Sequence, residues 1–124
     1  MSGSSNYLLD TNIVLQLLNG DKVLAGIIDH RSPCISFITE MELLSFNKLS
    51  AHEEIMIKTF LSECFIVEMN YSIKQMAIKI RKGHKLKLPD NIIAATSEHL
   101  NIPLLTTDIE FNKLKSLQIL QYRK

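Results

Sequence analysis

Short apolar runs alternate with longer amphipathic stretches along the chain. The apolar runs are too short for buried helices and predict strands at residues 7–9, 34–38, 64–69, 103–105 and 117–121. Apolar positions at helical spacing predict helices between them, at residues 13–18, 23–28, 39–49, 51–62, 72–83, 91–100 and 109–114. Strands that alternate with helices and are apolar on both faces favour a parallel sheet covered on both sides. We therefore predict an α/β fold, a three-layer α/β/α sandwich with a central parallel sheet of about five strands.

The length and composition limit what else the chain contains. It has 124 residues, of which 46% are hydrophobic, and this is enough for a single core. We expect one domain over residues 6–124 and a flexible leader at residues 1–5, where Gly and Ser carry no apolar pattern. No apolar stretch is long enough for a membrane span or a secretion signal, so we expect a cytoplasmic protein without a membrane partner. Cys34 and Cys64 are expected to be buried thiols, because their spacing fits neither a metal site nor a disulfide framework.

Four acidic residues stand where an apolar run gives way to a helical pattern: Asp10, Glu42, Asp90 and Asp108. Three of them fall just past predicted strand ends, which meet at one edge of a parallel sheet, and packing would have to bring Asp90 to that edge. Carboxylates this close repel one another strongly unless a cation lies among them. Because the pattern offers only hard oxygen donors, it favours Mg2+ or Mn2+ over Zn2+.

Helix capping is the alternative role for each of these acids. Asp10, Asp90 and Asp108 can accept hydrogen bonds from the backbone at a helix N-terminus. Thr39 and Glu42 have the spacing of a capping box. Capping explains each residue separately, but not why all four acids fall at one end of the predicted sheet.

Neighbouring polar residues are candidates to support the site. They can donate hydrogen bonds to carboxylates, to metal-bound waters or to phosphate oxygens. These residues are Thr11, Asn12, Thr106 and Thr107. Glu40 is not included, because it lies roughly 200° round the predicted helix from Glu42 and both cannot face one site.

Positive charge is concentrated in one segment, although the net charge of the chain is only +1. Residues 69–89 contain six of the fourteen Lys and Arg residues and no acid, so the segment carries +6 and the rest, with eight bases and thirteen acids, −5. A solvated helix face is one interpretation. The segment ends beside Asp90, however, where a polyanion could bridge it and a bound cation. The candidate RNA-binding residues are Lys79, Arg81, Lys82, Lys85 and Lys87.

Four segments of the chain resemble known motifs. LLDTNIVL, ISFITEMELL, LPDNIIAAT and IPLLTTDIEF stand in the order and at about the spacing of the four motifs of PIN-domain nucleases. Residues 7–122 as a whole resemble the VapC toxins of bacterial and archaeal toxin–antitoxin pairs. The acidic tetrad of that family falls on Asp10, Glu42, Asp90 and Asp108. One departure is Glu40, which stands where the family usually has a neutral residue.

This resemblance implies a Mg2+- or Mn2+-dependent endoribonuclease that cuts structured RNA, either tRNA or ribosomal RNA. The tetrad would be catalytic and metal-binding, with Asp10 and Asp90 as the principal ligands. Glu42 and Asp108 would complete the shell, directly or through water. The resemblance also implies a homodimer that a cognate VapB-like antitoxin holds inactive.

Three other classes of protein share parts of this pattern. In a haloacid-dehalogenase-type phosphatase, a second aspartate would be expected where this chain has Asn12. A receiver domain needs an aspartate after the third strand, where the chain has Met69 and Asn70. A non-catalytic PIN-like RNA-binding module has no such conflict, and only a measurement of activity separates it from a nuclease.

Overall fold

The computed structural model describes residues 6–28 and 32–123, so the predicted leader lies outside the described residues. A five-stranded sheet lies at its centre, with every strand pair parallel and the strand order β3-β2-β1-β4-β5. The strands are β1 (Leu8–Leu9), β2 (Cys34–Ser36), β3 (Phe65–Val67), β4 (Leu104–Thr106) and β5 (Ile119–Gln121). The predicted α/β/α class and number of strands are confirmed.

Helices cover both faces of this sheet. One face is covered by α1 (Thr11–Leu18), α2 (Lys22–Ile28), α3 (Phe37–Leu44) and α4 (Ala51–Glu63). The other is covered by α5 (Tyr71–Gly83), α6 (Leu88–Leu100) and a 3-10 turn (Ile109–Lys113). Successive strand residues point to opposite faces. Leu8 therefore lies in the core under α5 and α6, and Leu9 lies in the core under α1 to α4.

The strand order reverses at the centre of the sheet, between β1 and β4. The chain moves from β1 outward to β2 and β3, and later returns to β4 on the other side of β1. Parallel sheets bind ligands in the crevice that opens at the carboxyl ends of the strands at such a reversal. Asp10 follows β1 directly, and its backbone N–H donates to the Leu105 carbonyl of β4 (3.0 Å). The topology thus places the first acidic residue at this crevice.

Two helix starts differ from the prediction because other side chains cap them. Ser36 ends β2 and accepts a hydrogen bond from the Ile38 amide (3.0 Å), so Phe37 and Ile38 are helical rather than extended. The alternative in which Thr39 and Glu42 form a capping box is therefore wrong. Asn70 caps α5 through a 2.8 Å bond from the Ile73 amide, a full turn away. The helices consequently begin earlier than apolar spacing alone indicated.

The start of α6 also differs, and here the difference concerns the site. The helix begins at Leu88, with Pro89 at its start, so Asp90 lies inside the first turn. Lys87 occupies the cap position, and its side chain makes no capping hydrogen bond. Asp90 is therefore not a helix cap. The position still favours its ionised form, because the N-terminal end of a helix carries partial positive charge.

The two thiols lie on opposite sides of the sheet. Cys34 pairs with Phe65 across β2 and β3, so Cys64, one residue earlier, points to the other face. Cys34 is buried and Cys64 half-buried, and both are free. Burial raises the pKa of Cys34 to about 11 and that of Cys64 to about 12. Both thiols therefore stay protonated and poorly nucleophilic at neutral pH.

Candidate functional site

All four predicted acids line one open cavity at the carboxyl edge of the sheet. Its volume is about 620 Å3, and Asp10, Glu42, Asp90 and Asp108 are among the lining residues. Glu40 is not, as its position on the helix predicted. The acids come from four separate parts of the chain, after β1, on α3, on α6 and after β4. The four acids therefore converge at one edge of the sheet, as predicted from the sequence.

Asp10 is the most buried acid of the four, with 7% of its surface exposed. Its Oδ1 accepts from the Thr11 amide (2.9 Å) and caps α1, and its Oδ2 accepts from the Thr106 hydroxyl (2.7 Å). Burial raises the pKa of Asp10, and the Asp108 and Glu42 carboxylates add to this rise. The two hydrogen bonds oppose the rise. Asp10 is therefore both a helix cap and a carboxylate held next to other carboxylates.

Thr106 links Asp10 to Asp108. Its hydroxyl, fully buried, donates to Asp10 and accepts a hydrogen bond from the Asp108 amide (3.0 Å). The Oδ1 atom of Asp108 in turn accepts from the Glu110 amide (2.9 Å), which caps the 3-10 turn. Thr107 is outside this network, and its carbonyl accepts a bond from Gln121 (3.2 Å). Of the two predicted threonines, Thr106 is the one that contacts the acids.

Glu42 is the most exposed of the four acids, and Thr11 holds it. The Thr11 hydroxyl lies 2.5 Å from Glu42 Oε1 and 3.0 Å from the Thr39 hydroxyl. An ionised carboxylate only accepts hydrogen bonds, so Thr11 donates to Glu42 and Thr39 donates to Thr11. Thr39 is fully buried and supports Glu42 through Thr11, a role that its capping-box spacing did not indicate. This role could have been predicted from the sequence, because Thr39 lies three residues before Glu42 and both therefore share one helix face.

Asp90 has the clearest electrostatic signature. Burial raises its pKa to about 6, and the carboxylates of Asp10, Asp108 and Glu42 contribute to this rise, in that order. Lys87 opposes the rise. Each of the other three acids therefore lies close enough to Asp90 to disfavour its negative charge. A cation bound in the cavity would remove this repulsion.

The geometry of the donors limits how they would hold a metal. Within residues 6–28 and 32–123, no group of three or more Asp, Glu, His or Cys side chains stands in positions to coordinate one ion. One or two carboxylates, with water completing the shell, is the usual coordination of Mg2+. A structural Zn2+ site would need four converging ligands, most often including Cys or His. The residues that line the cavity include neither Cys nor His, so its charged donors are all carboxylate oxygens. Asn12 lines it as an exposed amide that could contact such waters.

The predicted RNA-binding residues do not form one surface. Lys79 lines a cavity on the far side of α5, together with Tyr71 and Glu98. Lys82 lines an apolar groove between α5 and α6. Lys85 and Lys87 lie on the connection between these helices, and Arg81 reaches both that connection and the groove. Lys87 is the candidate that lies close enough to Asp90 to lower the pKa of that carboxyl.

The chain is similar to one known sequence profile and to several solved structures. The profile of the PIN domain matches residues 7–117. A toxin–antitoxin complex from Klebsiella pneumoniae contains a chain that is 28% identical, with a TM-score of 0.80 over 95% of this chain and 99% of that one. For VapBC-1 from nontypeable Haemophilus influenzae the identity is 26% and the TM-score 0.80, over 96% and 99%. VapBC2 from Rickettsia felis, bound to a DNA fragment from its promoter, has the same fold at 24% identity, with a TM-score of 0.80 over 95% and 99%. No match was found among curated proteins.

Proposed function

The chain belongs to the PIN-domain family, and we propose that it is a Mg2+- or Mn2+-dependent endoribonuclease, the toxin of a toxin–antitoxin pair. One observation carries the proposal: four carboxylates from distant parts of the chain line one cavity, and three of them raise the pKa of the fourth, Asp90, together with its burial. A protein that only needed helix caps would have no reason to bring these charges together. Structured RNA, either tRNA or ribosomal RNA, is the proposed substrate.

The burial and contacts of each acid suggest its role in cleavage. A bound cation would acidify a water and neutralise charge on the phosphodiester. Asp10 and Asp90, the two acids whose pKa is raised, would hold that cation. Glu42 is exposed to the cavity and held by Thr11, so it is placed to orient the attacking water and accept its proton. Asp108, tied to Asp10 through Thr106, would contribute to the shell through bound water.

An antitoxin would inhibit the enzyme by covering the same cavity. The wall beside the carboxylates is apolar, and Met41 (57% exposed) and Phe46 (43% exposed) project from it. An amphipathic helix of a VapB-like antitoxin could lie on this wall and place a cationic side chain among the carboxylates. The similar structure from Klebsiella is a toxin–antitoxin complex and that from Haemophilus is VapBC-1, which supports this assignment.

Two further features of the proposal concern assembly and location. The resemblance implies a homodimer, and the exposed side chains of Met69, Ile78 and Leu88 offer apolar surface for one. Sedimentation of the pure protein measures this oligomeric state directly.

No helix among the described residues is long and apolar enough to cross a membrane. A cytoplasmic location remains part of the proposal, which fractionation of expressing cells would test.

The alternative is a PIN-like module that binds RNA without cutting it. The direct test is incubation of the pure protein with total RNA, with Mg2+, Mn2+ or a chelator, followed by mapping of the cut ends. We expect cleavage that needs the metal and is abolished in Asp10→Asn and Asp90→Asn. Glu40→Gln is the matched control, because it removes one negative charge from α3 outside the cavity. Binding without cleavage in every condition would favour the alternative.

A haloacid-dehalogenase-type phosphatase has no support, because the Asn12 amide cannot act as its general acid.

A further inference from the structure

The short connection between α5 and α6 presents two lysines on one side. His84 (φ −143°, ψ 153°) and Lys87 (φ −65°, ψ 152°) both have extended backbone. Leu86 is buried in the core under the two helices, with 6% exposed, whereas Lys85 and Lys87 are exposed. Side chains alternate along an extended segment. The alternation of exposed Lys85, buried Leu86 and exposed Lys87 therefore leaves both lysine side chains at the surface.

This connection is held by both helices. The Leu86 carbonyl accepts one hydrogen bond from Arg81 Nη1 of α5 (3.1 Å) and another from Asn91 Nδ2 of α6 (3.2 Å). Asn91 is fully buried, so the second bond is shielded from water. A segment fixed in this way loses little conformational entropy when a ligand binds to it. The two lysines thus stand on a preorganised backbone rather than on a flexible loop.

The charge and spacing of the connection match a phosphodiester strand. The open cavity beside it, about 630 Å3, is lined by Arg81, Lys85 and Lys87 and by no acidic residue. Positions two residues apart on an extended backbone are roughly 6.6 Å apart. Successive phosphates along a nucleic-acid strand have a similar separation. Lys87 also lies within electrostatic reach of Asp90. A strand bound here would therefore lie close to the Asp90 side of the carboxylate cavity.

We propose that residues 84–87 form a phosphate-binding subsite for the RNA strand, in which Lys87 and Lys85 hold two consecutive phosphates on one side of the cut. Lys87 binds the phosphate nearer the carboxylates, and Lys85 the next one outward. This inference rests on the proposed function, since RNA is the ligand. It differs from a general attraction of RNA to the basic segment, because it assigns the contacts to two lysines of that segment.

The test is binding of a labelled single-stranded oligoribonucleotide, measured by fluorescence anisotropy in chelator over a range of salt concentrations. Each lost phosphate contact lowers the slope of log affinity against log salt by about 0.7 for single strands. We expect Lys85→Ala/Lys87→Ala to lower the slope by about 1.4. Lys85→Arg/Lys87→Arg keeps both charges and should retain most of the parental slope. The matched control Lys22→Ala/Lys74→Ala also removes two exposed charges, from α2 and from the start of α5, and should change the slope far less. Melting curves confirm that each variant is folded.

The outcomes separate this subsite from the nuclease assignment. If the parent cuts RNA but the double alanine variant keeps the parental slope, the subsite is overturned and the function stands. An equal loss in the Lys22→Ala/Lys74→Ala control also overturns it, since the effect is then one of net charge. If no RNA is cut, yet only the double alanine variant lowers the slope of log affinity against log salt, the subsite stands and the nuclease assignment fails. A parent that binds no RNA at low salt overturns both.

Discussion

The Thr106 hydroxyl donates a 2.7 Å hydrogen bond to Oδ2 of Asp10, a residue 96 positions earlier in the chain. The same hydroxyl accepts a bond from the Asp108 amide. One buried side chain therefore sets the positions of the first and last acids of the tetrad. It also supplies a hydrogen bond that lowers the pKa of Asp10 against the effect of burial.

Replacing Thr106 by Val should reduce cleavage while keeping the fold. The change preserves shape but removes the donor to Asp10, which leaves a buried carboxylate oxygen without that partner. We expect a loss of about 1–3 kcal/mol in the free energy of unfolding and a larger, metal-dependent loss of cleavage. Thr96→Val is the control, because it removes a similar buried hydroxyl bond, to the Ile92 carbonyl (2.7 Å) in α6. Equal losses of cleavage in both variants would mean that Thr106 acts only through stability.

Asp90→Asn should make the metal-free protein more stable at neutral pH. The pKa of Asp90 is raised from 3.8 to about 6, so the folded state binds its proton more tightly than the unfolded state does. The parent's stability therefore falls as pH rises through the window from about 4 to about 6. Because the side chain is partly exposed to solvent, we expect the variant to gain only about 1–2 kcal/mol above this window.

Urea unfolding in chelator at several pH values measures this difference. The two proteins should be about equally stable below pH 4, where Asp90 is protonated in both states, and should diverge above it. A variant that is less stable at every pH would show that the Asp90 carboxylate has a structural role that outweighs its repulsion with the other acids.

Metal binding should weaken as pH falls through about 6, because protons compete with the cation for Asp90. A thermal shift by Mn2+ reports this binding, since a ligand at about 100 times its Kd stabilises the folded state by about 2.7 kcal/mol. We expect a clear shift at pH 7.5, a smaller one at pH 5, and none in Asp10→Asn. A shift in the parent that does not depend on pH would place the cation away from Asp90.

Thr11→Val should lower the rate of cleavage more than the affinity for RNA. Thr11 donates to Glu42, and without it this exposed carboxylate samples other rotamers. We expect kcat to fall about tenfold or more, with a smaller change in KM. Thr11→Ser keeps the hydroxyl and should retain most of the activity. If the serine variant is as impaired as the valine variant, the methyl group of Thr11 matters rather than its hydrogen bond.

Expression of the chain without an antitoxin should arrest bacterial growth. The arrest should need Asp10, whose amide variant retains shape and loses ligand charge, and should persist in Glu40→Gln. Growth curves after induction, with northern blots of tRNA and ribosomal RNA, measure both effects. Normal growth with intact RNA would count against the toxin role even if purified protein cuts RNA. Equal arrest by parent and Asp10→Asn would point to toxicity without catalysis.

Local patterns along the chain were sufficient for the class of fold and for most of the acids that line the cavity. Alternating apolar runs and helical spacing identified the sheet and its two helical layers, since burial on both faces depends on periodicity that is visible in any short window. Asp10 and Asp108 could be located because each lies just past a strand end, and parallel strands bring such ends to one edge.

Only the tertiary structure decided the rest, because these features depend on how separate elements pack. Asp90 follows no strand, and the packing of α6 against the sheet brings it to the other acids. Thr106 and Thr107 are neighbouring threonines that the sequence does not distinguish, and only the fold shows that the Thr106 hydroxyl donates to Asp10. The basic segment is continuous in sequence, yet Lys79 lines a cavity beside α5, whereas Lys85 and Lys87 line another on the connection after that helix. Neither the approach of a distant carboxylate nor the direction of a side chain is encoded in local periodicity.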